Sequence, residues 1–169
     1  GNYIKEASLS NIVSPFSETL LQHDGFIMHL LEVRLVLEIE VARLAAKRRS
    51  ATQLGDLEAA AGQMESEIEE GGTGLNGDNR FHKVLADAAG NKVLQEFVRM
   101  CGDLLEVERE EHLRTREEEP RRALNQHYDI LEAVREQDSA EAQQVMEDHI
   151  LTVSEVIKSN RAQRGSVPP

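Results

Sequence analysis

Apolar residues recur along this chain at intervals of three and four, the spacing that lines one face of an α-helix. The first clear stripe, Ile27, Leu30, Leu31, Leu35, Val41, Leu44 and Ala45, predicts a long helix from Phe26 to about Arg49. Ser50 or Thr52 caps a second, reaching about Glu70, with Leu54, Leu57, Ala61, Met64 and Ile68 inward. A third runs from about Asn76 to Ala89, carries Phe81, Leu85 and Ala89 inward, and stops at Gly90-Asn91. The same pattern predicts one helix from Lys92 to about Arg116, with Val93, Leu94, Phe97, Val98, Cys101, Leu104 and Leu105 inward. Pro120 opens a fifth, to about Glu136, with Leu124, His127, Tyr128, Leu131 and Val134 inward. Asp138 or Ser139 caps a sixth, whose stripe is Ala142, Val145, Met146, His149, Val153, Val156 and Ile157.

Ser14-Pro15 suggests a further short helix to about Gln22, broken by His23-Asp24-Gly25. Residues before it are rich in Ser and Asn and read as a linker, and the end from about Arg161 reads as a disordered tail. No strand pattern stands out after residue 14. The expected fold is therefore all-α, an antiparallel bundle of about six to seven helices around a central polar pocket.

Composition narrows the functions open to such a bundle. The chain has 169 residues, long enough for one domain with a core, and only 4% are aromatic, so Leu, Val, Ile and Ala must fill that core. The formal net charge of −12 argues against gripping nucleic acid or an anionic membrane, both of which need a basic face. A single cysteine, Cys101, rules out a disulfide framework within the chain and suits a reducing cytoplasm. On its stripe Cys101 reads as a small buried apolar residue. The run from Glu106 to Glu119 is dense in charge and reads as a solvated face. Gly71-Gly72-Thr73-Gly74 lacks the strand-to-helix setting and the lysine of a phosphate loop.

The candidate chemistry lies on the helix stripes. Asp78 and His82 are four residues apart, so both face the same way one turn apart. Of the six histidines, His82, His127 and His149 fall on the apolar stripes of three different helices. Burying four such groups is costly unless they satisfy one another or a cation. Imidazole nitrogens and a carboxylate oxygen suit a divalent metal, Zn2+ first, with Ni2+ and Mn2+ as alternatives. Arg34 and Glu38 fall on or beside the first stripe. They read either as a surface ion pair or as an inward arginine placed for a ligand carboxylate.

Rival readings are a metal-dependent hydrolase and a purely structural metal site. HExxH is missing. The paired Glu-x-x-His units of a di-metal bundle are also absent, because Asn79, Arg109, Leu124 and Met146 stand three residues before His82, His112, His127 and His149.

Four segments together resemble one family: Leu31 through Glu38 continuing into Ala42 through Ala46; Asp78 through Leu85 followed by Ala88-Ala89-Gly90-Asn91; His127 through Ala133; and Asp138 through His149. In this order they are similar to the effector-binding domain, of FCD type, of GntR-family bacterial transcription regulators of the FadR subgroup, over residues 26–158. The resemblance implies a non-enzymatic sensor. Asp78, His82, His127 and His149 would hold a divalent metal, and Arg34 would clamp the carboxylate of a small organic-acid effector such as a hydroxy acid, sugar acid or dicarboxylate. It further implies a homodimer that binds operator DNA through an N-terminal winged-helix domain. Residues 1–14 would then be the end of that domain and its linker, residues 15–160 the effector-binding domain, and residues 161–169 the tail.

Overall fold

A computed structural model describes residues 25–165, which form seven helices with no strand among the described residues. They are α1 (Phe26–Arg48), α2 (Ala51–Glu69), α3 (Leu75–Ala88), α4 (Lys92–Leu104), α5 (Glu106–Arg114), α6 (Glu119–Arg135) and α7 (Ser139–Gly165). The expected short helix after Ser14 and the linker before it lie outside the described residues.

Local chemistry sets most of the boundaries. Ser50 begins α2 in a capping box: its hydroxyl accepts from the Gln53 amide while the Gln53 side chain accepts from the Ser50 amide. The Asn91 side chain accepts from the amides of Val93 and Leu94 at the start of α4, and Asp138 does the same for Ala140 and Glu141 at the start of α7. Pro120 sits in the first turn of α6, where its missing N–H costs no hydrogen bond.

Three expectations are corrected. The predicted single helix over Lys92–Arg116 is two, broken at Leu105, where ψ swings to 5°. No proline marks the break, the nearest glycine is Gly102 in the last turn of α4, and Leu105 itself is fully buried, so the apolar stripe runs on unbroken through it. The bend turns α5 back against α3, α6 and α7. Val93, Phe97 and Tyr128, assigned inward from their spacing, are exposed. At the other end α7 continues through Gly165, beyond the point at Arg161 where a tail was expected. Arg161 pairs with Glu108 at 3.2 Å and Arg164 with Glu111 at 2.6 Å, tying this last stretch to α5.

The longest packed pair is α1 against α7, with α3 lying between α1 and α2. Apolar residues gather in two main clusters along these helices. One contains Val41, Leu57, Phe81, Leu85, Leu131 and Met146. The other contains Leu30, Leu31, Cys101, Leu105, Val153 and Ile157. On α1 the buried Arg34 and Glu38 fall between the two, and on α7 His149 lies between Met146 and Val153. A polar layer thus interrupts the core. Its depth on α3 is set by Gly77, where an added Cβ would lie 2.3 Å from the Met64 backbone nitrogen and 2.4 Å from its Cα. Only a residue without a side chain lets α3 approach α2 so closely.

Candidate metal centre

Three helices contribute the four clustered residues of the polar layer. Asp78 and His82 come from adjacent turns of α3, His127 from α6 and His149 from α7. Each stands at an apolar-stripe position, so packing that stripe carries the polar group inward with it. All four are buried, none more than 5% exposed, and one ligand atom from each lies within 4.8 Å of the others. Metal bonds of about 2.0–2.1 Å hold donors roughly 3–4 Å apart, so a small inward turn of the rings closes this set on an ion.

Hydrogen bonds behind the rings fix which nitrogen faces in. His82 donates from Nδ1 to Glu38 Oε2 at 2.9 Å, which leaves the Nε2 lone pair facing the cluster. His149 donates from Nδ1 to Gln126 Oε1 at 3.0 Å, and the Gln126 amide in turn donates to Thr152 Oγ1 at 3.4 Å. His149 Nε2 is left buried without a partner. His127 is held by ring stacking instead, parallel to Phe81 with centroids 4.4 Å apart. Neither of its nitrogens has a hydrogen bond, though Nε2 lies 3.3 Å from Asp78 Oδ1. The three ring centroids are 4.9–5.4 Å apart. Of the imidazole nitrogens that face Asp78, those of His127 and His149 Nε2 are buried without partners, while His82 Nε2 is met by Arg34 Nη2; unpartnered buried nitrogens are costly unless a cation satisfies them. The donor set therefore fits a divalent ion.

Asp78 is divided between two tasks. Its Oδ1 faces His127 and His82, the latter at 3.7 Å, while its Oδ2 accepts from Arg109 Nη2. Arg109 also donates to Asn79 Oδ1 at 2.7 Å. Burial would raise the Asp78 carboxyl, but Arg109 above all, then His82 and His127, holds it well below the usual carboxylate range. Glu38 is likewise pushed up by burial, yet His82 and Arg34 bring it down to about 2. Both stay anionic at neutral pH. Burial acts the opposite way on the imidazoles: it lowers His127 to about 3 and takes His149 well below its ordinary value. A neutral imidazole is the form that binds metal.

Arg34 is inward and forms an i,i+4 pair at once: buried, it donates from Nε to Glu38 Oε1 at 3.2 Å and from Nη2 to His82 Nε2 at 3.2 Å. Its Nη1 is buried and unpaired. A cavity of about 10 Å3, room for roughly one water, adjoins Arg34, Asp78, Arg109, His112 and His149. Leu113 lines both this cavity and an open cleft of about 1150 Å3 between residues 67–76 and 113–121.

Sequence spacing thus picked out all four clustered residues and Arg34. It missed Glu38 as the partner of His82, Gln126 as the partner of His149, and both Arg109 and His112. The last two lie in the charge run assigned to solvent, yet Arg109, His112 and Glu119 are buried. Their signal was the continuation of Leu105 through Arg109 and His112 to Leu113 at helical spacing. Cys101 is fully buried, and burial raises its thiol to about 11, consistent with an inert core position.

Residues 29–152 match the family described as the FCD domain. The chain is 35% identical over 161 residues to the HTH-type transcriptional regulator LutR of Bacillus subtilis (strain 168), covering 93% of this chain and 74% of LutR. It is 26% identical over 155 residues to the HTH-type transcriptional repressor NanR of Salmonella schwarzengrund (strain CVM19633), covering 89% of this chain and 59% of NanR. Among solved structures it is similar to Streptococcus agalactiae GntR, with a TM-score of 0.67 and 26% identity over 82% of this chain and 60% of that one. The named relatives are transcription regulators rather than enzymes.

Proposed function

The chain belongs to the FCD domain family, the effector-binding domain of GntR-family transcription regulators, and from that premise we propose that it senses a small organic acid at a divalent metal. Asp78, His82, His127 and His149 hold the ion, Zn2+ before Ni2+ or Mn2+, and Arg34 grips the acid's carboxylate. One observation carries this reading: three buried imidazoles and a carboxylate converge beside a buried arginine with an unpaired Nη1. When bound, the ion offers open coordination positions to an oxygen of the acid.

The chain's own residues do the rest. Glu38 and Gln126 orient His82 and His149. Arg109 holds Asp78 Oδ2, so only Oδ1 is presented. Arg34, with Nε on Glu38 and Nη2 on His82, offers its unpaired Nη1 as a charged donor to the carboxylate. Because these groups come from α1, α3, α5, α6 and α7, an acid that binds two arrangements of these helices unequally shifts the balance between them. In the intact cytoplasmic regulator, a homodimer, that shift changes the spacing of two N-terminal DNA-binding domains on their half-sites.

Calorimetry and metal analysis test the reading together. Arg34→Ala should abolish binding of small carboxylates and leave the metal content of the purified chain unchanged. Undiminished acid affinity in that variant would remove Arg34 from the site.

A further inference from the structure

We propose that Arg34 is a built-in competitor of the metal ion: it holds the one His82 lone pair that an ion needs, and it must withdraw before that ion can bind. This rests on the metal half of the reading above and concerns how the site is filled, not which acid it senses.

His82 has two ring nitrogens, and both are committed. Nδ1 lies 2.9 Å from Glu38 Oε2, a carboxylate oxygen that can only accept, so Nδ1 carries the proton. Nε2 lies 3.2 Å from Arg34 Nη2, which can only donate, so Nε2 meets it with its lone pair. That lone pair can accept from Arg34 or bind an ion, and the two are mutually exclusive. The other donors carry no such obstacle. His127 has no hydrogen bond at either nitrogen, His149 Nε2 is unpartnered, and Asp78 gives Arg109 only its Oδ2. The obstruction is therefore confined to one of the four ligands.

Charge points the same way. In the buried layer Glu38 is paired with Arg34, and Asp78 with Arg109. A divalent ion adds positive charge where Arg34 already supplies it, and like charges repel strongly in a buried layer. Withdrawal needs an anchor and a place to go. Glu38 Oε1 holds Nε at 3.2 Å from the next turn of the same helix, so the guanidinium can pivot there. The small cavity beside Arg34 has room for about one water, which matches one displaced Nη group. Glu38 meanwhile keeps His82 in line through its other oxygen. Once withdrawn, Nη2 joins Nη1 as a free donor, so filling the metal site readies Arg34 for an anion.

Zinc alone is the probe, titrated into the metal-free chain against a chelator of known affinity. Arg34→Met should bind zinc roughly tenfold to a hundredfold more tightly than wild type, the span of one hydrogen bond from a charged donor. Zinc content at saturation should be the same in both, so affinity changes and content does not. Arg109→Met removes the same charge but no competitor, and it should not tighten zinc. Equal tightening in both variants overturns the proposal, because charge alone would then be acting. Unchanged or weaker affinity in Arg34→Met overturns it as well. If either variant fails to fold, crystal structures of the wild type with and without zinc decide. With zinc, Arg34 Nη2 should lie beyond hydrogen-bond distance of His82 Nε2 while Nε stays on Glu38. Nη2 still on Nε2 beside bound zinc overturns the proposal. A wild type that takes up no zinc removes the metal reading itself, a result distinct from zinc bound with equal affinity by wild type and Arg34→Met.

Discussion

The two sides of the polar layer are built differently. On one side, α3, α6 and α7 deliver Asp78, His82, His127 and His149 from apolar stripes, flanked by Phe81, Leu85, Leu131 and Met146. On the other, α5 delivers Arg109 and His112 from a nine-residue helix in which only Arg109, His112 and Leu113 are buried. The ligand side is set in the core and held behind by Glu38 and Gln126. The α5 side is fastened mainly by charge: Arg109 to Asp78, and Arg161 and Arg164 of α7 to Glu108 and Glu111. A rigid side suits the fixed geometry that the proposed metal site needs, and a thinly packed side is the one more able to adjust.

Acid should have the largest effect, and it reaches both sides. In the unfolded chain an imidazole takes up a proton near pH 6.5, but burial lowers His112 to about 4 and His127 to about 3, and lowers His149 as well. Below pH 6.5 the unfolded chain therefore binds more protons, and stability falls as pH falls, until the folded rings also protonate. Each imidazole contributes about 1.4 kcal/mol per pH unit in that window. Urea melts of the chelator-treated chain at pH 7, 6 and 5 should show a steadily falling midpoint. A midpoint constant to pH 5 would mean that these rings are not buried as neutral groups.

Removing a support behind the ligands should have a middling effect. Gln126→Ala frees His149 Nδ1 and the choice of tautomer, and should weaken metal affinity about 10- to 100-fold without displacing a ligand. Competition with a chromogenic chelator measures this, and an unchanged constant would show that packing alone orients His149. The smallest effect is expected at the charged fastening. The double variant Arg161→Ala with Arg164→Ala should cost under about 1 kcal/mol, since both arginines are exposed. Hydrogen exchange should nevertheless quicken in α5 before it does in α3, and equal protection in the two helices would abolish the distinction drawn between them.

The same difference explains what could be read from the residues beforehand. His82, His127 and His149 were visible because a polar residue on an apolar stripe stands out against its neighbours. Arg109 and His112 were not, because they stand in a run with Glu106, Glu108, Glu110 and Glu111, of which Glu106, Glu110 and Glu111 do reach water. The bend at Leu105 left no mark either: a buried leucine fits a continuous helix as well as a break, and only the packing of α5 against its neighbours decides between them. Glu38 could be placed on its face from spacing. Its bond to His82, forty-four residues away, depends on how α1 and α3 cross.

Gly77 gives the bundle a gauge. Because α3 meets α2 through bare backbone there, one added carbon would wedge the two helices apart and lift Asp78 away from its 3.3 Å approach to His127. The tolerance of the whole assembly is thus set at a position that carries no functional group. The centre is machined to the thickness of a methyl group, and the hydrogen atom at that position serves as its reference surface.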